Sequence, residues 1–344
     1  MIRRHARTVL LVVCTLILAL MVWKAGIGAL LDNLFTMRWS LLLCVAVWLA
    51  VYVFNTLSWG TIIRIWQCPS AVPADRRPLS FMRLFRLTVS GYALNYITPF
   101  GLLGGEPYRV VELRKHLGTE AAASSVLLYA MMHVCSHVLF WLIGCVAAVW
   151  AVADIDTRLA AILWSVCGVC VMLLVVFYRC YSRGMVVRIV SAAQHLWLIG
   201  NTIGRWKARN IGRLTSIDNG VACLFIDHPR RFWCSLLLEL VSRLVNVLEI
   251  AVILWWLCPH LQAGMLYADA LVILAFSSLF ANILFFSPMQ MGTREGGIYL
   301  VIEMLGLAAA QTDLLPLAVS ISFATRIREF VWIAIGIALL KMKE

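Results

Sequence analysis

The sequence predicts an all-α integral membrane protein with about six full transmembrane helices and two re-entrant, proline- and glycine-broken hairpins arranged as an inverted repeat. Three observations carry this. The chain is 62% hydrophobic and only 13% charged, whereas an ordinary soluble domain is about 25% charged. Six apolar runs reach the roughly 20 residues needed to cross a bilayer. Two shorter or interrupted apolar segments each end in a proline followed by glycine and glutamate.

The first run, Thr8 to Leu31, follows the basic stretch "MIRRHAR". No A-x-A cleavage site follows, so it reads as an uncleaved first span rather than a signal peptide. Ser40 to Ile63 is the second span. Leu87 to Phe100 comes next, too short to span and flanked on both sides by arginines, which predicts a hairpin that enters and leaves on one side. Ala121 to Ala153, Leu159 to Tyr178 and Phe232 to Leu257 are full spans. Leu266 to Ser287 is the second broken segment, and Leu314 to Leu340 the last span. The chain thus divides into a first half, 1–178, with re-entrant segment 84–118, and a second half, 232–344, with re-entrant segment 266–306. A basic connection, 179–231, predicts one or two amphipathic helices on the membrane face, with Trp197 and Trp206 at headgroup depth.

The formal charge of +12 is placed, not spread. Met1 to Arg7, Arg64 to Arg86, Arg109 to Lys115, Arg179 to Arg231 and Lys341 to Lys343 hold 22 of the 29 Lys and Arg. They lie at alternate span ends, so the positive-inside rule puts both termini and the long connection in the cytoplasm and the chain in the cytoplasmic membrane. Juxtamembrane arginines attract anionic lipid headgroups, and no nucleic-acid partner is needed. The 11 cysteines are scattered through apolar runs as small hydrophobes. Cys167 and Cys170 lack the second pair a metal site would need.

The halves repeat each other. Pro99 is followed seven residues later by Glu106, then by Leu117-Gly118 and Ala121 to Ala123. Pro288 is followed seven residues later by Glu295, then by Leu305-Gly306 and Ala308 to Ala310, and Asn95 and Asn282 precede the two prolines. Three spans separate the segments, so the second is approached from the opposite side. Proline ends a helix, and glycines such as Gly101, Gly104, Gly105 and Gly292 let the chain turn. Broken backbone survives at membrane depth only when buried in protein or lining a wet cavity, and matched breaks in inverted halves point to a substrate site.

These residues, "NYITPFGLLGGEPYRVVELRKHLG" and "SPMQMGTREGGIYLVIEMLG" with Arg326 late in the chain, resemble the membrane domain of the lysylphosphatidylglycerol synthase and flippase family. Met289, Gln290 and Met291 stand where that family usually places glycines. The chain ends at Glu344 directly after a span, so the resemblance implies lipid translocation without the soluble aminoacyl-transfer domain.

The chemistry available inside the membrane is acidic and basic. Glu239, Ser242, Arg243, Asn246 and Glu249 fall in a stripe about 120° wide on one helix, either a structural Glu239–Arg243 pair or a polar lining. Ser322, Thr325, Arg326 and Glu329 share a face of the last span, while Arg328 points away, toward the headgroups. Arg109, Arg243, Arg294 and Arg326 are candidates to hold an anionic headgroup through the guanidinium fork, with Glu239 and Glu329 beside them. Glu106 and Glu295 open short helices, where a carboxylate either offsets the helix dipole or meets a cationic headgroup or coupling proton. His133 and His137, one turn apart, lack a third metal ligand and read as packing or cavity lining. No GxxxxGK loop occurs, which excludes ATP hydrolysis by this chain, and no cofactor or metal is expected. The leading expectation is a secondary lipid translocase whose partners are membrane lipids with anionic or zwitterionic headgroups. A lipid-modifying enzyme, a scaffold for a cytoplasmic enzyme and a homo-oligomeric state stay open.

Overall fold

The computed structural model describes residues 19–24, 26–37, 39–66, 79–97, 104–152, 155–183, 186–193, 200–259, 261–284, 290–307 and 314–341. These form helices α1 (Ile27–Thr36), α2 (Ser40–Ile63), α3 (Phe81–Ile97), α4 (Gly105–Leu117), α5 (Thr119–Ala151), α6 (Thr157–Arg183), α7 (Val186–Ala193), α8 (Gly200–Ile226), α9 (Pro229–Leu257), α10 (Ala263–Ile283), α11 (Thr293–Met304) and α12 (Leu314–Lys341). The protein is an all-α membrane protein. Four helices are long and apolar enough to cross a bilayer, over Ser40–Ile63, Thr119–Ala151, Thr157–Arg179 and Ala263–Ile283. Helices α9 and α12 have 29 and 28 residues, also long enough at 1.5 Å per residue, but they carry charges that must be paired inside.

One element differs from the sequence reading. The first span is not one helix to Leu31, because Gly26 has φ 81° and separates helical residues 19–24 from α1. No side chain is needed at that break, and a β-carbon would disfavour it. The second broken segment contains α10, whose 21 residues are long and apolar enough to cross a bilayer. Only 11% of the apolar window of α6 is buried, so most of its surface is left for lipid. The connection 179–231 contains two helices, α7 and α8, that pack on each other. The backbone amide of Val187 donates to Asp218, and Lys207 donates to Ser191. Trp197 lies outside the described residues.

The folded chain has two compact units, each drawn from both sequence halves. Unit one comprises Met1–Val51, Leu139–Gly168 and Ser242–Ala338, and unit two comprises Tyr52–Val138, Val169–Val241 and Leu339–Glu344. Each contains a helical hairpin that carries one of the two glutamates, Glu106 or Glu295. In unit two, α3 and α4 run antiparallel and touch at backbone distance. A β-carbon on Gly105 would overlap the carbonyl oxygen of Gly91, and one on Gly91 would overlap the Arg109 guanidinium. In unit one, α10 and α11 pair with Gly297 against Phe280 and Ser277, and Gly144 meets Ala275 so closely that a β-carbon there would collide. The repeated Leu-Gly of the sequence has a shared structural meaning. Gly118 and Gly306 both take positive φ, 87° and 63°, where α4 and α11 stop.

Candidate functional site

The hairpin of unit two places Glu106 in the first turn of α4, and Arg114, Lys115 and His116 fall in its last turn, matching the helix dipole at both ends. Gly105 donates its backbone N–H to Asn95 Oδ1 at 2.7 Å, and Asn95 Nδ2 donates to Glu106 Oε1 at 3.1 Å. Asn95 therefore caps α4 from across the hairpin and orients the carboxylate at once. Gly104 precedes this cap, while Pro99 and Gly101 lie outside the described residues. Arg109, one turn beyond Glu106 and only 2% exposed, donates to Glu106 at 3.4 Å and to the Thr88 carbonyl at 3.1 Å. Its guanidinium lies 5.5, 4.9 and 5.3 Å from the rings of Trp59, Tyr92 and Tyr129, within cation–π range.

The same aromatic wall leads to Glu239. Tyr92 Oη is 3.2 Å from both Tyr129 Oη and His133 Nδ1, and His133 Nδ1 is 2.9 Å from Glu239 Oε2. Glu239, fully buried, thus pairs with His133 on α5. Its sequence neighbour Arg243 is half-buried one turn on and belongs to unit one. Five polar atoms of this centre are buried without a hydrogen-bond partner: Glu106 Oε2, Glu239 Oε1, Asn55 Oδ1, Arg109 Nε and Trp59 Nε1. Three of them are acceptors, two of these on carboxylates. Orphaned buried groups are rare and costly, and this set is suited to a donor-rich cation.

Unit one holds a different centre. Glu295, fully buried, accepts the Gly292 backbone N–H at 2.8 Å, Ser322 Oγ at 2.6 Å and Arg326 Nη2 at 2.8 Å. It is both a helix cap and an ion-pair partner. Arg294 donates to Glu329 at 2.8 Å and to Gln290 Oε1 at 3.0 Å, so the glutamine that departs from the glycine-rich turn supplies an acceptor. Arg328 donates to Glu249 through Nε at 2.7 Å and Nη2 at 3.0 Å and stacks 3.8 Å from the Trp48 ring centroid. Trp48 Nε1 completes the pair by donating to Glu249 Oε2 at 2.7 Å.

Three sequence expectations change here. Arg326 pairs with Glu295 on α11 rather than with Glu329 on its own helix, because cross-hairpin packing brings the opposite charge closer. Arg328, expected at the headgroups, is 4% exposed and is buried by its fork with Glu249. Asn282 is not the counterpart of Asn95, since it is exposed and donates to the Ser278 carbonyl of its own helix. Pro288 lies outside the described residues. Sequence reasoning missed Arg328–Glu249 as a pair, although two intramembrane charges without headgroup access must find partners. It also missed the cage of Trp59, Tyr92 and Tyr129, which no spacing rule marks among so many apolar aromatics. No group of three His, Cys, Asp or Glu suited to a metal occurs among the described residues.

An all-α membrane protein with two broken-helix hairpins, each closing on buried charges, is the class this architecture defines. Residues 8–336 match the family described as Lysylphosphatidylglycerol synthase TM region, and the chain belongs to that family. No curated protein and no solved structure matches it.

Proposed function

We propose that this protein is a lipid translocase that moves a phospholipid with an ammonium-bearing, zwitterionic or cationic headgroup between leaflets. The family places the chain among membrane proteins of lipid metabolism or transport. The observation that carries the finer reading is the unit-two centre, where the buried acceptors Glu106 Oε2, Glu239 Oε1 and Asn55 Oδ1 lack partners beside an aromatic wall. Ammonium groups are recognised by carboxylates together with aromatic faces. Three of the four arginines that the sequence marks for an anionic headgroup are occupied: Arg109, Arg294 and Arg326 each donate to a glutamate. A phosphate would have to displace those carboxylates. In this reading no bond is made or broken, both termini and residues 179–231 face the cytoplasm, and the acyl chains stay in lipid.

The test is leaflet-resolved movement of fluorescent phosphatidylethanolamine, phosphatidylglycerol and lysylphosphatidylglycerol in vesicles containing the purified full-length chain. Movement of an amine-bearing lipid above that in protein-free vesicles is expected, reduced at least tenfold by Glu106→Gln with Glu239→Gln, roughly the loss of one charge-assisted contact. No acceleration for any lipid overturns the proposal.

A further inference from the structure

The unit-two centre has an unequal count of fixed charges. Glu106 and Glu239 bring two carboxylates and Arg109 one permanent cation, and the remaining partner, His133, carries an imidazole, a side chain that can be neutral or singly charged. With a neutral imidazole the centre carries one net negative charge, and with an imidazolium it carries none. Glu239 is fully buried while the Glu106 and His133 side chains are each 27% exposed, so the uncompensated charge is costly at Glu239 and a single positive charge entering from the exposed side stabilises it.

We infer that His133 and Glu239 form a proton-binding site, and that the proton is released when an ammonium headgroup occupies the centre, so that lipid movement is exchanged for a proton. This rests on the translocase reading above and adds an energy source to it. The geometry supplies the chemistry. His133 Nδ1 lies 2.9 Å from Glu239 Oε2, so Nδ1–H donates to the carboxylate in both states. The exchangeable proton sits on Nε2. Release breaks that N–H bond, leaves its electron pair on the ring nitrogen and passes the proton to water, with no other reactant. The second oxygen, Glu239 Oε1, is buried without a partner, and an arriving ammonium can donate to it while the ring returns to neutral.

Groups from several helices face His133. Tyr92 from α3 and Tyr129 from its own helix approach it with ring centroids at 5.8 and 6.3 Å. His137, one turn on, meets it edge-on at 5.3 Å. Tyr52 from α2 stacks on Tyr92, Arg109 and Glu106 come from α4, and Glu239 comes from α9. Arg109 is tied to Glu106 and to the Thr88 carbonyl, which leaves Glu239 to His133.

The experiment is solid-state NMR of the full-length protein with nitrogen-15 histidine, in nanodiscs of phosphatidylglycerol, between about pH 5 and pH 9. Subtracting the spectrum of His133→Asn isolates the ring. It is expected to pass from doubly protonated to Nδ1-protonated with rising pH. Glu239→Gln should lower the midpoint by at least one pH unit, the size of a lost opposite charge, and adding lysylphosphatidylglycerol as the cationic probe should lower it by roughly one unit. A ring that stays in one state throughout, or a midpoint unmoved by Glu239→Gln, overturns the proton site. A midpoint that the carboxylate moves but the cationic lipid does not overturns the exchange. Lipid movement in the leaflet assay without His133 titration sinks this inference alone, whereas titration without lipid movement sinks the translocase reading.

Discussion

Removing either member of the Arg328–Glu249 pair tests whether unit one depends on charges that compensate each other. Both residues are nearly inaccessible, at 4% and 1%, and the guanidinium makes two hydrogen bonds of 2.7 and 3.0 Å to the carboxylate. Glu249→Leu leaves the buried cation with the Trp48 ring and a longer contact of 3.8 Å to Glu329 Oε1, a carboxylate already held by Arg294, and it also removes the acceptor of Trp48 Nε1. Breaking a buried pair from one side costs about 3–5 kcal/mol, and the remaining cation–π contact returns at most roughly 2 kcal/mol of it. Arg328→Met leaves the carboxylate one hydrogen bond from Trp48 and should cost a similar amount. The double variant removes both charges, so its cost should fall short of the sum of the singles by at least about 2 kcal/mol. Unfolding in mixed micelles with increasing dodecyl sulfate, followed by tryptophan fluorescence, gives the three free energies. A single-variant loss under about 1 kcal/mol, or strict additivity in the double variant, would refute the compensation argument.

Three further outcomes are expected. Gly105→Ala forces a β-carbon onto the Gly91 carbonyl oxygen and should cost roughly 1–3 kcal/mol, whereas Gly168→Ala, with nothing within 4 Å, should be neutral or slightly stabilising in the same unfolding measurement. Arg326→Lys keeps the charge beside Glu295 but loses one of the two contacts that Nε and Nη2 make to Oε1, so a loss of about 1.5–3 kcal/mol is expected. A loss as large as that of Arg326→Ala would show that the second contact carries the pair. Single-cysteine labelling of intact cells should modify positions 156 and 311 and spare 205 and 343; labelling at 205 with protection at 311 would reverse the inferred topology.

Much of the architecture is visible in the sequence because membrane helices announce themselves by length and apolarity, as Ser40–Ile63 does without a single charge. Glu106 and Glu295 are also legible, since proline, glycines and a carboxylate at one offset leave few other readings. What stays hidden is partner choice. Helical periodicity ranks residues around one axis, and on that measure Arg326 goes with Glu329 and Glu239 with Arg243. Partners on neighbouring helices are set by packing, which single-helix geometry does not contain. The same limit explains Arg328. Its angle on α12 points outward by periodicity alone, while the carboxylate that receives it, Glu249, is 79 residues away. The aromatic wall around Arg109 is likewise assembled from α2, α3 and α5.

The order of synthesis gives the unit-one pairs another meaning. Glu249 and Glu295 leave the ribosome well before Arg328 and Arg326, the cations that bind them. Until the last helix inserts, the nascent protein holds two carboxylates whose counter-charges have not yet been translated. Chains assemble from the N-terminus onward, so it is the arrival of α12 that neutralises both carboxylates. A product broken off before Arg326 would hold Glu249 and Glu295 in the bilayer without the cations that neutralise them.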